Sequence, residues 1–154
     1  MRKLTLLLTI AIFLTILSPC GGCGEGAYDA PAGGKITISG APDAITIGLT
    51  ETSWYEYCCF VIVVKDAKDI PLNNVNLSIS YPWAIPNPPG LVQLYDGDRP
   101  ENSPMDVTTD ENGAYYLKIR YQGGGLVEYT GSLIVASGSL SATATFEVSS
   151  QGGE

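Results

Sequence analysis

Past residue 34 apolar and polar side chains take alternate positions, a period of two that suits half-buried strands and fits no helix. The pattern is clearest from Tyr57 to Pro82, YCCFVIVVKDAKDIPLNNVNLSISYP. Cys58 to Val64 is an apolar run rich in β-branched residues. Val75, Leu77, Ile79 and Tyr81 fall on one face of the next run, and Asn76, Ser78 and Ser80 on the other. Asp66, Lys68, Asp69, Pro71, Asn73 and Asn74 lie between them, and Asp, Asn and Pro are turn formers for distinct backbone reasons. The stretch is expected to be one antiparallel hairpin folded about Ile70. Its single oily face then requires a second sheet to cover it.

The same period predicts strands at Lys35–Gly40 and Ala44–Thr50, broken by Ala41-Pro42-Asp43, and at Leu91–Tyr95 and Ala114–Tyr121. Tyr129–Ala136 and Leu140–Val148 read as a closing hairpin around Ser137-Gly138-Ser139, with Leu140, Ala142, Ala144, Phe146 and Val148 on one face. Asp96–Asp106 reads as a polar connection and Thr108–Gly113 as a tight turn. Pro82–Gly90, PWAIPNPPG, carries four prolines, which forbid a helix and favour an extended loop. Many short strands parted by turn signals point to an all-β sandwich over residues 35–149, with a disordered tail at 150–154.

The first nineteen residues read as an export signal. Arg2 and Lys3 form a basic head, and Leu4–Leu17 is an apolar core too short for a comfortable membrane span. Leu17-Ser18-Pro19-Cys20 resembles the lipobox of bacterial lipoproteins, with Pro19 where Gly, Ala or Ser is usual. That resemblance implies acylation of Cys20 and a membrane-anchored protein of the bacterial cell envelope. Secretion with cleavage near Gly21 to Gly24, and an uncleaved anchor, are the alternatives. Gly21–Gly34, GGCGEGAYDAPAGG, has no apolar periodicity and reads as a flexible tether between anchor and domain.

Charge and composition narrow the function. The net charge is −8, and loss of Arg2 and Lys3 leaves six basic against sixteen acidic residues. Such a chain gains nothing from a phosphate backbone, so nucleic acid is not an expected partner, and attraction to anionic lipid would not hold the domain at a membrane. The chain has no histidine, which removes the usual general base and the commonest metal ligand. No nucleophile pairs with the scattered carboxylates, so neither an enzyme nor a cofactor is expected.

Three stretches together resemble bacterial immunoglobulin-like domains of the invasin/intimin type: VVKDAKDIPLNNVNLSIS, VTTDENGAYYLKIRY and GSLIVASGSLSATATFEV. The resemblance covers roughly Lys35 to Ser149. It implies an immunoglobulin-like Greek-key β-sandwich, exported and used as a structural or adhesive module, with no catalytic residues. It also implies that Cys58, Phe60, Ile62 and Val64 face the core while Cys59, Val61 and Val63 face outward.

Three groups of residues are candidates for function. Trp54, Tyr55, Tyr57 and Trp83 gather aromatic side chains at one end of the sandwich, as a binding surface for protein or glycan or as a cap on the core. Cys23 is within reach of Cys59 for a disulfide, and Cys59 is also placed to link two copies. A bond between Cys58 and Cys59 is not expected, because neighbours in a strand point to opposite faces, and Cys58 reads as a buried thiol. Asp96, Asp98, Glu101 and Asp106 offer oxygen ligands at short spacing, although Asp-Gly is ordinary turn chemistry and no EF-hand loop is complete. Self-assembly by strand addition at a sheet edge is the alternative function.

Overall fold

The computed structural model describes residues 26–48, 54–81, 92–122 and 128–151. These residues form ten strands and no helix: β1 (Lys35–Ser39), β2 (Ala44–Gly48), β3 (Trp54–Lys65), β4 (Asn76–Ser80), β5 (Val92–Asp96), β6 (Arg99–Glu101), β7 (Met105–Thr108), β8 (Ala114–Gln122), β9 (Glu128–Ser137) and β10 (Leu140–Gln151). One sheet has the order β1-β3-β8-β5-β6 and the other β2-β10-β9-β4-β7. Only β5–β6 and β9–β10 are strands consecutive in the chain that also pair; every other connection crosses from one sheet to the other. The strand pairs are antiparallel except β2 with β10, which run parallel. The opening segment is thereby divided, β1 edging one sheet and β2 the other. This wiring is that of an all-β, immunoglobulin-like Greek-key sandwich.

The inward faces follow the alternation. Val75, Leu77, Ile79 and Tyr81 are buried, as are Leu117, Ile119, Tyr121, Phe146 and Val148. Full burial of such a side chain is worth about 1.5–3 kcal/mol. An aromatic group fills one end of the core. Phe60 packs on Tyr57 at 5.3 Å and on Phe146 at 5.6 Å between ring centroids, and Tyr81 meets Tyr121 at 6.3 Å.

The pairing differs from the expected hairpin. β3 and β4 are not partners: β3 lies between β1 and β8, and β4 between β9 and β7. Only an isolated bridge joins Lys65 to Pro71. The intervening residues instead carry the chain across the sandwich, so both strands bury a face against the same core from opposite sides. Alternation records which face is oily; it does not record which strand lies alongside.

Two turns at this end share one design. Asp66 Oδ1 accepts the amides of Lys68 and Ile70 at 2.8 and 2.9 Å, and Asp110 Oδ1 accepts those of Asn112 and Ala114 at 2.9 and 2.8 Å. In each turn the residue three places on is left-handed, Asp69 at φ 65° and Gly113 at φ 69°. Thr109 joins the turns to the core: its buried hydroxyl donates to the Leu72 carbonyl at 2.7 Å and accepts the Val75 amide at 3.0 Å.

Two further differences bear on the site. The segment read as a tether is docked from Tyr28 onward. The Tyr28 amide donates to the Asn74 carbonyl at 3.2 Å, the Asn76 amide donates to the Tyr28 carbonyl at 2.8 Å, and the buried Ala30 donates its amide to Ser137 Oγ at 2.8 Å. The stretch expected to be a plain polar connection holds β6 and β7, each an edge strand.

Candidate functional site

The sandwich has two unlike ends. β3 finishes, β4 and β8 begin, and β9 turns into β10 at the end where Tyr28–Ala30 dock. At the opposite end β3 opens with Trp54 and Tyr55, whose backbones pair with Gln122 and Tyr121 of β8. The chain also leaves β4 there, through Tyr81 toward Trp83, which lies outside the described residues. The side chains of Trp54 and Tyr55 are likewise outside the description. Of the four candidate aromatics Tyr57 is fully placed. Its ring is half-buried against Phe60 and its hydroxyl donates to the Gly40 carbonyl at 2.6 Å, so it closes the core rather than standing free.

The acidic candidates do not converge. Asp96 accepts the Tyr115 hydroxyl at 2.7 Å, Asp98 pairs with Lys118 at 3.0 Å, and Glu101 accepts Arg99 Nε at 2.8 Å. Asp106 and Asp96 line a groove of about 760 Å³ with Asp29, Ser78, Thr108 and Tyr115. Among the described residues no group of three or more His, Cys, Asp or Glu is placed to hold a metal ion. The Tyr115 hydroxyl is held well above its ordinary value, first by burial and then by its bond to Asp96.

The outer face of the first sheet carries a charge network that the chain's order conceals. Glu56 of β3 binds Arg120 at 3.0 Å and Lys118 at 3.2 Å, both on β8. Lys118 also reaches Asp98 after β5, and the Arg120 guanidinium lies 4.5 Å over the Tyr95 ring. These residues are 64 or fewer positions apart and meet because β8 lies between β3 and β5. Hydrogen bonds from Arg120 and then Lys118 hold the Glu56 carboxyl below its ordinary value of 4.5, and Lys118 does the same for Asp98 below 3.8.

A lowered folded-state value means the carboxylate stabilises the fold at pH above its unfolded value, and that this contribution fades as pH falls through the lowered one. Acidification below about pH 4.5 is therefore expected to weaken the protein. Lys118→Met should flatten that acid limb while leaving the sandwich intact. Urea midpoints measured at pH 7 and pH 3 for both proteins check this; an equal loss in the two would show that the network does not set the acid response.

Cys58 departs from its expected place. It is exposed on this same outer face and is disulfide-bonded. The reason is a shift in register: Cys58 pairs with Lys118, but Phe60 pairs with Leu117, so one residue is extra in β3. The inward positions are thus Tyr57, Phe60, Ile62 and Val64, and the parity that would have buried Cys58 is broken. Val61 and Val63 face outward and are partly covered. Cys20 and Cys23, and the side chain of Cys59, lie outside the description.

No family model matches the chain, and no curated protein matches it. Among solved structures it is similar to the ASH/PapD-like domain of human CEP192 (PapD-like domain 7), at 17% identity and a TM-score of 0.42, over 78% of this chain and 86% of that one. It is also similar to a family 123 glycoside hydrolase from Clostridium perfringens, at 12% identity and a TM-score of 0.43, over 76% of this chain and 26% of the enzyme.

Proposed function

We propose that the chain is a non-enzymatic, exported module of the bacterial cell envelope, held at a membrane by lipid on Cys20, whose single sandwich serves as a structural or adhesive element. The observation that carries this reading is the polarity of the sandwich. The N-terminal segment is tied down at the end holding the two Asp turns, while Trp54 opens β3 at the other end. Tyr28 lies eight residues beyond Cys20, a stretch that reaches at most about 29 Å when extended. An anchor at Cys20 therefore keeps the docked end beside the membrane and turns the aromatic end outward. Each buried methylene of the lipid adds about 0.8 kcal/mol of membrane affinity, which the acidic domain does not supply by itself.

Loops at the end of a sandwich are where such scaffolds place recognition. The partner that suits a sequence rich in Trp and Tyr at that end of the chain's strands is a protein or glycan surface. The second reading, assembly by strand addition, would use β1 or β2, since the other two edges, β6 and β7, are only three and four residues long. A concentration-independent monomer in light scattering removes it.

Two measurements test the main reading. Cys20→Ala should move the protein from the membrane fraction to the soluble one, and intact mass of the unsubstituted protein should include acyl chains. An unmodified Cys20 retained behind its leader overturns the anchor. Trp54 and Trp83 are the only tryptophans, so a ligand at the outward end should shift the intrinsic emission. Glycan or protein ligands that bind without changing it would place recognition elsewhere.

A further inference from the structure

The groove of about 760 Å³ has a size that small-molecule sites commonly have, roughly 300–1,000 Å³. Two adjacent strands supply its most regular part. β7 pairs with β4 so that Thr108 stands opposite Asn76 and Asp106 opposite Ser78, all four lining the groove. Leu77 and Val107, between them in the alternation, pack toward the core instead. Cβ atoms opposite each other on paired strands lie about 4.5–5.5 Å apart, and positions two along a strand roughly 6.8 Å apart, so the sheet itself fixes the spacing of these groups.

The docked N-terminal segment adds a wall. Asp29 sits between Tyr28 and Ala30, whose amides are bonded to the Asn74 carbonyl and to Ser137 Oγ. Its Cβ lies over Gly138 so closely that a methyl there would stand 3.1 Å away. Tyr115, its hydroxyl bonded to Asp96, joins the lining. Five of these side chains are uncommitted: among the described residues Asp29, Asn76, Ser78, Asp106 and Thr108 enter no side-chain hydrogen bond or ion pair. On the first sheet, by contrast, Glu56, Asp98 and Glu101 are each paired with a base.

That lining narrows the ligand. Among the described residues no lysine or arginine faces the groove, and carboxylates without a base repel an anion. An ammonium would use the carboxylates but leave the donors of Asn76, Ser78 and Thr108 idle. A sugar hydroxyl both donates and accepts, and so suits both kinds of group. A protein partner would need far more area, on the order of 1,200 Å² or more buried in total.

We propose that the groove binds an uncharged oligosaccharide, with Asp29 and Asp106 accepting sugar hydroxyls and Asn76, Ser78 and Thr108 donating to sugar oxygens. Because Asp29 belongs to the docked segment, the site is complete only when that segment is in place. A ligand that touches Asp29 therefore favours the docked form and strengthens the docking by linkage. The site rests on neither the anchor at Cys20 nor the aromatic end.

The full chain is applied to an array of uncharged, uronic-acid-containing and sialylated oligosaccharides. We expect retention on uncharged members only; retention on none, or on the acidic ones equally, overturns the proposal. For a retained glycan, Asp106→Ala should weaken binding about tenfold or more and Thr108→Ala about threefold, while Glu111→Ala, which removes an exposed carboxylate outside the lining, should not weaken it. Unchanged binding in both groove variants places the glycan elsewhere, the aromatic end included, and overturns the site. Displacement of the glycan by spermidine at equal concentration would mean that the groove reads charge alone, which overturns the ligand class. The coupling is read on the unsubstituted protein, and so stands even where a substitution unfolds the chain: the Tyr28 and Ala30 amides should exchange hydrogen more slowly with the glycan bound. Unaltered exchange removes Asp29 from the site.

Discussion

Gly131→Val is expected to lower the unfolding free energy by about 3 kcal/mol, at the upper end of what overpacking a core costs. Gly131 is buried in β9 opposite Phe146. A Cβ there would stand 2.5 Å from the Phe146 ring and 2.6 Å from the Tyr81 hydroxyl. Neither neighbour has room to retreat. Phe146 lies against Phe60, and Tyr81 lies against both Phe146 and Tyr121. Even Gly131→Ala should cost more than the usual exchange of a strand glycine, which gains from lost freedom in the unfolded chain. Chemical denaturation of the three proteins checks the order; an alanine variant as stable as the parent would mean that the aromatic group is looser than its packing indicates.

Gly113→Val is expected to cost about 2–4 kcal/mol, for two reasons that separate experimentally. Gly113 is left-handed at φ 69°, where a side chain strains the backbone by about 1–2 kcal/mol. A Cβ would also meet the Leu72 nitrogen and the Val64 carbonyl oxygen, each at 2.8 Å. Those are backbone atoms of the two segments that the turn clamps, and they cannot swing away as the end of a side chain would. Gly97 supplies the control: it is left-handed at φ 59°, but nothing lies within 4 Å of its Cβ position. Gly97→Val should therefore show the backbone strain alone. Equal losses at the two sites would remove the steric part of the argument.

The contrast between these glycines shows how legibility is distributed along the chain. Thr108–Gly113 is readable as a tight turn because Asp, Asn and Gly each carry a local backbone preference. That its glycine must approach Val64 and Leu72 is not readable, because the approach depends on β3 and β8 being neighbours. Glu56, Lys118, Asp98 and Arg120 form their network for the same reason. Each is an ordinary surface charge by its local pattern. β6 and β7 escape detection because edge strands bury little: in β6 no residue is buried, and in β7 only Met105. Cys58 misleads for a different reason. Counting by twos assumes an unbroken ladder, and one extra residue between Cys58 and Phe60 reverses the parity of everything before it.

The aromatic end is partly legible. Trp54 and Tyr57 fall at one end of β3 by strand length alone, yet only the packing shows that Tyr57 spends its ring on Phe60 and its hydroxyl on Gly40. The docking of Tyr28–Ala30 leaves no periodic trace in a glycine-rich stretch, since it rests on backbone hydrogen bonds and one serine hydroxyl.

By itself the amino-acid order determined the layered all-β class, the inward residues of most strands, the closing hairpin and the places of the turns. These are properties of a few adjacent residues: which side is apolar and which backbone angles are easy. The tertiary structure decided which strands pair, that β3 and β4 face each other across the core, which charges meet, where the N-terminal segment is held and which cysteine comes to the surface. Those outcomes depend on contacts between residues far apart in the chain, and a period of two is blind to distance.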